Sequence, residues 1–217
     1  MKIVSYISDS TIECAPFTWG LTLFSYGCNL HCKMCEGYNY EIVTNKDNIT
    51  DNAISVIDKA ITPLHDCVVF LGGEPTIWGN DLIEALKYCK SKGLHTKIFT
   101  NGMKPDVVSE INEMKLCDAW SVDFKGLHDI EENFGIEGLD YFININKTLL
   151  DIMKYKLPLE IRTTFFEGNE ADREEIIEKQ EEIIRNYKER CNGVYAKFIT
   201  QEDIRTLRNG GNVDGNC

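Results

Sequence analysis

The sequence predicts an α/β chain, an open, partial (β/α)6 barrel with a parallel sheet and outer helices. Three observations carry that prediction. Six short apolar runs read as strands, five of them separated from the next by a helical stretch, and such alternation builds parallel βαβ units with right-handed crossovers. Six units are too few to close the eight-fold barrel. Glycine-rich and polar motifs recur at the C-terminal ends of the runs, the end at which (β/α) barrels carry chemistry.

Residues 1–18 read as an irregular or hairpin lead-in. Trp19–Phe24 is the first convincing strand and leads into a cysteine-rich loop. Thr50 has the character of an N-cap for a helix that repeats Ala53, Ile54, Ile57 and Ile61 at helical spacing. Cys67–Leu71 is a continuous apolar run of the kind buried in parallel sheets, and it stops at Gly72-Gly73-Glu74-Pro75-Thr76. Asn80 suits the cap of a helix carrying Leu82, Ile83, Leu86 and Cys89, closed by Gly93. His95–Phe99 is a strand ending at Thr100-Asn101-Gly102, and Pro105 falls where a helix takes its first residue. Trp120–Phe124 is the fourth strand, followed by a helix over 139–155. Leu159–Phe165 is the fifth, ending at Glu167-Gly168. Asn169 suits the cap of a charged helix with Ile176, Ile177, Ile183, Ile184 and Tyr187 on one stripe, and Val194–Ile199 is the last strand.

Strand parity supports a curved sheet. Trp120, Val122 and Phe124 alternate with Ser121, Asp123 and Lys125, and Leu159, Ile161 and Phe165 alternate with Glu160, Arg162 and Thr164. The apolar set packs outward under the helices, which sends the charged set inward. Buried charges are rare unless paired or functional, so an internal salt network and a ligand site are the two readings.

The chain has 217 residues and no internal repeat or linker, which suits one domain over 1–208 with a Gly/Asn-rich, disordered tail over 209–217. No apolar run reaches membrane-spanning length and the start does not resemble a signal peptide, so the expectation is a cytoplasmic protein with no membrane partner. Nine cysteines then read as thiols or metal ligands rather than disulfides. A net charge of −12 disfavours nucleic acid as a partner.

The most specific feature is Cys28-x3-Cys32-x2-Cys35. Thiolates select zinc, copper(I) or iron–sulfur clusters. A structural zinc site needs a fourth ligand, yet His31 is adjacent to Cys32 and no second cysteine pair follows. A three-cysteine iron–sulfur site leaves one iron without a protein ligand, free to bind a substrate or cofactor. The remaining cysteines form no second pair or triplet, and Cys67, Cys89 and Cys117 sit on apolar stripes as core residues.

The cysteine loop combined with Gly72-Gly73-Glu74-Pro75 resembles the radical S-adenosylmethionine (SAM) superfamily, from about Trp19 to Ile199. Within it, Gly-Gly-Glu-Pro-Thr, Thr-Asn-Gly, Asp-x-Lys and Ile-Arg-Thr-Thr resemble the glycyl-radical-enzyme activases, above all those of anaerobic ribonucleoside-triphosphate reductase. The resemblance implies one [4Fe–4S] cluster held by Cys28, Cys32 and Cys35, with SAM chelated at the open iron. It implies SAM contacts from Gly72, Gly73 and Glu74 at the amino group and from Thr100 and Asn101 at the methionyl or ribose portion. Asp123 falls on the amino or ribose side, Lys125 and Arg162 on the carboxylate or ribose, and Met34 against the adenine. It further implies a glycyl radical enzyme as protein substrate and a flavodoxin or ferredoxin-type electron donor.

Three departures stand out. The residue before the third cysteine is usually aromatic but is Met34 here. Glu36-Gly37 replace the His-Asn that activases often carry. Phe99 stands where activases often have an Asp that helps hold a monovalent cation. The alternative enzyme is a small-molecule radical SAM protein resembling 7-carboxy-7-deazaguanine synthase, and a non-catalytic zinc module is the alternative of another class.

Overall fold

The computed structural model describes residues 1–11, 13–35 and 42–202. Glu36-Gly37, the boundary at 208 and the tail from Asn209 lie outside them. Eight strands form one sheet: β1 (Lys2–Ser10), β2 (Gly20–Ser25), β3 (Asp51–Asn52), β4 (Cys67–Gly72), β5 (His95–Thr100), β6 (Ala119–Asp123), β7 (Leu159–Phe165) and β8 (Ala196–Glu202). Their spatial order is β3-β1-β2-β4-β5-β6-β7-β8, and from β2 to β8 every neighbouring pair is parallel. Among the described residues the helices that pack on the sheet and rim are α1 (Ala53–Ala60), α2 (Asn80–Ser91), α3 (Pro105–Glu113), α4 (Ile130–Phe134), α5 (Gly138–Tyr155) and α6 (Arg173–Cys191).

The six parallel strands are those the apolar runs predict. The lead-in differs. It is mostly one strand, β1, antiparallel to β2 with Tyr6 opposite Leu23 and Ser10 opposite Gly20. Its pattern is hard to read because Ile3 and Val4 are both buried while Tyr6 and Ile7 are both exposed. The last strand begins at Ala196 and extends through polar residues to Glu202, two positions later than expected.

Three caps shift. Asn52, not Thr50, caps α1 by accepting from Ser55 N–H, and the Thr50 hydroxyl donates to the Ile3 carbonyl at 3.1 Å instead. Asn80 is the first residue of α2, behind Gly79 at φ +45°. Asn169 precedes a 3-10 turn over Glu170–Asp172, and Asp172 stands at the N-cap of α6.

The alternation in the strands sorts the two faces as parity requires. Phe70, Ile98, Trp120, Val122, Leu159 and Ile161 lie in the large core under the helices. The Trp120 indole donates to Asn112 of α3 at 2.9 Å, which fixes that strand to its helix. On the inner face, Cys14, Cys67 and Val69 form a second cluster with Phe17, Leu71 and Phe99. This inner cluster is the barrel floor. Asp66 accepts from the Thr18 and Trp19 N–H groups at 3.0 and 2.9 Å, holding the segment before β2 across the strand starts. The opposite rim is left for the site. Among the described residues no helix is long and apolar enough to cross a membrane.

Candidate functional site at the strand C-termini

The parallel register sets the loops after β2, β4, β5, β6 and β7 on one rim. The loop after β2 turns at Gly27, φ +85°. Cys28 accepts from Leu30 N–H through its sulfur at 3.5 Å, and Lys33–Cys35 forms a 3-10 turn in which Cys35 N–H donates to the Cys32 carbonyl at 2.9 Å. The loop is braced from outside by α4, where His31 N–H meets the Phe134 carbonyl and Lys33 pairs with Glu132 at 2.6 Å. Cys28, Cys32 and Cys35 line one cavity of about 360 Å³ with Gly72, Gly73, Phe24 and Leu71. Among the described residues no three His, Cys, Asp or Glu side chains converge on a single-ion point.

Burial pushes the Cys28 thiol up to about 11, with the Glu74 charge adding to it. A hydrogen bond with Cys35, and then burial, raise Cys32 further. Three half-buried or buried thiols on a polar loop, facing a shared cavity, fit a group that takes their protons and binds sulfur.

Gly72 and Gly73 are required by packing. A Cβ on Gly72 would stand 2.4 Å from Ser25 N, and one on Gly73 would stand 1.9 Å from the Gly27 carbonyl oxygen. Gly73 N–H donates to Ser25 O at 3.0 Å and Glu74 N–H to Gly27 O at 2.7 Å, so the end of β4 is laced to the start of the cysteine loop. The Glu74 carboxylate is buried and faces inward on its own loops. It accepts from Thr76 N–H at 3.1 Å, Thr76 Oγ1 at 2.5 Å, Thr100 Oγ1 at 2.8 Å and Asn101 N–H at 2.6 Å. Burial raises its pKa despite these donors. Glu74 thus clamps the turn after β5 to the turn after β4.

Asn101 carries the clamp onward. Its Oδ1 accepts from Met103 N–H at 3.0 Å and its Nδ2 donates to Asn29 Oδ1 at 2.8 Å, between Cys28 and Cys32. The Thr100 hydroxyl also accepts from Gly102 N–H at 3.0 Å.

The charged residues of β6 and β7 face inward as parity requires, but they do not join in one network. Lys125 pairs with Asp123 at 2.8 Å. Burial acts against the Lys125 ammonium, yet Asp123 and the Cys32 and Cys35 sulfurs hold its pKa well above the ordinary value. Its backbone N–H donates to Tyr141 OH at 2.8 Å and its carbonyl accepts from Asn169 Nδ2 at 3.1 Å. Arg162, beside Asp123 in register, lays its guanidinium over the Phe99 ring at 4.7 Å. Arg162 Nε is buried with no hydrogen-bond partner, as are Thr22 Oγ1 and Ser121 Oγ. Buried orphan polar atoms are rare in a finished core and suit a barrel built around a ligand. Met34 packs half-buried against the core beside Cys35.

Sequence reasoning did not single out Asn29, Tyr141, Asn169, Lys97 or Glu160 as site residues. Tyr141 and Asn169 come from distant elements and reach Lys125 through its backbone. Strand parity predicts only that Glu160 faces inward.

Comparisons with known proteins give the family and the fold. A family model described as the radical SAM superfamily matches residues 22–179. A protein of Methanocaldococcus jannaschii, provisionally named as a glycyl-radical enzyme activating enzyme, is 32% identical over 168 residues, 75% of this chain and 68% of that protein. The 7-carboxy-7-deazaguanine synthase of the same organism is 27% identical over 177 residues, 74% of this chain and 69% of that one. A solved structure of native anSMEcpe with bound AdoMet and a Kp18Cys peptide superposes with a TM-score of 0.54 at 17% identity, covering 81% of this chain. The chain spans 49% of the length of that solved structure, and the likeness speaks for the fold.

Proposed function

The chain belongs to the radical SAM superfamily, whose members use a [4Fe–4S] cluster and S-adenosylmethionine, and from that membership we propose that it activates a glycyl radical enzyme. The proposed partner is an anaerobic ribonucleoside-triphosphate reductase, with a flavodoxin or ferredoxin-type protein as electron donor. The observation that carries the reading is the 32% identity, over three quarters of the chain, to a protein named for that activity.

In this reading Cys28, Cys32 and Cys35 hold three irons of the cluster. Bound together, cluster and SAM supply reductive cleavage of the sulfonium and a radical able to take hydrogen from an unactivated C–H bond. The chain's own residues bind and orient. Gly72 and Gly73 bring bare backbone to the cavity wall. Glu74 fixes Thr100 and Asn101, and Asn101 fixes the cysteine loop through Asn29. Lys125 and Arg162 present cations to the SAM carboxylate or ribose, Asp123 an acceptor to the amino or ribose side, and Met34 an apolar surface to the adenine. A glycine in a partner loop suits the barrel because it has no side chain to block approach and its backbone bends freely.

The identity to 7-carboxy-7-deazaguanine synthase favours a second reading, a small-molecule radical SAM enzyme. The test is anaerobic incubation of the iron-reconstituted protein with dithionite, SAM and the anaerobic ribonucleoside-triphosphate reductase of its own organism. The activase reading expects a glycine-centred EPR doublet on the reductase. SAM cleavage driven by a small metabolite, with no radical on the reductase, favours the synthase.

A further inference from the structure

Lys97 and Glu160 form an ion pair that the proposed chemistry does not use. They lie on β5 and β7, with β6 between them, and Lys97 Nζ reaches Glu160 Oε2 at 2.7 Å with side-chain exposures of 0% and 1%. Such a pair is an expensive way to fill a core, since apolar residues of similar volume serve folding as well or better. Its surroundings suggest what it is for. The same Glu160 oxygen stands 3.8 Å from Arg162 Nε, too far for a hydrogen bond. Its other oxygen accepts from Tyr195 OH at 2.9 Å and faces Lys197 at 3.3 Å. One carboxylate is therefore shared by three cations. Lys97 holds the closest place, with a second bond to the Ala15 carbonyl at 2.7 Å that ties it to the barrel floor.

Arg162 is left with its guanidinium on Phe99 and a buried Nε that has no partner. Glu160 and Arg162 are two residues apart on one strand and point the same way; Tyr195 and Lys197 hold one oxygen of the carboxylate, and Lys97 holds the oxygen nearest the guanidinium. We infer that Lys97 is a positioning residue: by occupying Glu160 Oε2 it keeps Arg162 from hydrogen-bonding that carboxylate and leaves the guanidinium available to an anionic group, a carboxylate, of the ligand in the barrel. This rests on the reading that SAM is that ligand.

The experiment compares SAM with decarboxylated SAM, which lacks the carboxylate, by calorimetric titration of anaerobically reconstituted protein. Failure of the wild-type protein to bind SAM overturns the underlying reading and is distinct from every outcome for the variants. With binding established, Lys97→Met frees Glu160 to pair with Arg162 and is expected to weaken SAM binding about tenfold, the scale of one charge-assisted hydrogen bond. Decarboxylated SAM is expected to bind the variant and the wild type alike. The double variant Lys97→Met with Glu160→Gln removes the competing carboxylate, and SAM affinity is expected to return to within about twofold of wild type, a rescue that simple loss of packing does not give. If Lys97→Met does not fold, Lys97→Gln keeps a donor for Ala15 and carries the same expectation. Unchanged SAM affinity, equal loss for both ligands, or no rescue in the double variant overturns the inference.

Discussion

Asn101 Nδ2 donates to Asn29 Oδ1 at 2.8 Å, joining the turn after β5 to the middle of the cysteine loop. Glu74 holds the backbone of the same Asn101 at 2.6 Å, so three strand ends meet through the side chains of Asn29, Glu74 and Asn101. Replacing Asn29 by Ala is expected to cost about 1 kcal/mol of stability, the net worth of one such bond, and Asn101→Ala about 2 kcal/mol, because its Oδ1 also accepts from Met103 N–H. Amide exchange over residues 27–35 should quicken in both variants. The double variant should exchange no faster than the worse single one, as expected of a pair that acts as a unit. Additive effects in the double variant would show that the two side chains act separately.

Among the cysteines, position in the fold separates roles. Cys67, Cys89 and Cys117 are buried in the two cores, whereas Cys28, Cys32 and Cys35 line the rim cavity. Cys28→Ala, Cys32→Ala or Cys35→Ala should leave a folded protein that retains no full [4Fe–4S] cluster after reconstitution. Cys89→Ala should lower the midpoint of denaturation and leave iron content unchanged. Iron and sulfide assays with absorption spectra check this, and a Cys32→Ala protein with a full cluster would rule the triplet out.

Gly73 and Gly93 make a matched pair of substitutions. An alanine Cβ at Gly73 would lie 1.9 Å from the Gly27 carbonyl oxygen, while nothing lies within 4 Å of one at Gly93, where φ is +74°. Gly93→Ala should therefore cost about 1–2 kcal/mol for left-handed backbone alone. Gly73→Ala should cost about 3 kcal/mol or more, since backbone must move, and should disturb the cysteine loop as well. Denaturant titration measures both; equal costs would contradict the close approach of β4 to that loop.

The barrel floor has a pH signature. Burial pushes the Asp66 carboxyl up, but hydrogen bonds from the Trp19 and Thr18 N–H groups outweigh it and hold the pKa below its ordinary 3.8. A carboxyl depressed in the folded state stabilises it above the unfolded pKa, and that stabilisation is lost as pH falls through the folded value. Asp66→Asn should thus be less stable than wild type at neutral pH, with the two stability curves converging below pH 3.8. A constant gap down to acid pH would remove Asp66 titration from the account.

The parallel sheet was legible because each strand is a compact apolar run that stops at glycine or a polar turn, as Cys67–Leu71 stops at Gly72-Gly73. The short helix α4 left no periodic signal in five residues. The site was legible as residue types on one rim, since strand parity sends Asp123, Lys125 and Arg162 inward. How those residues pair was not legible. Lys97 meets Glu160 across an intervening strand, and Asn101 meets Asn29 across two loops, contacts between positions 63 and 72 apart in sequence. Glu74 shows the same limit: its motif suggests a ligand contact, while its four donors come from its own and the neighbouring turn.

The most direct test of the proposed function follows an isotope. The anaerobic ribonucleoside-triphosphate reductase of the same organism, prepared with deuterium at the α-carbon of its glycines, is incubated with the reconstituted protein, dithionite and SAM, and 5′-deoxyadenosine is recovered for mass spectrometry. The account predicts one deuterium in 5′-deoxyadenosine, in step with the loss of one from a single reductase glycine. Deuterium-free 5′-deoxyadenosine formed while the reductase keeps its label would contradict it.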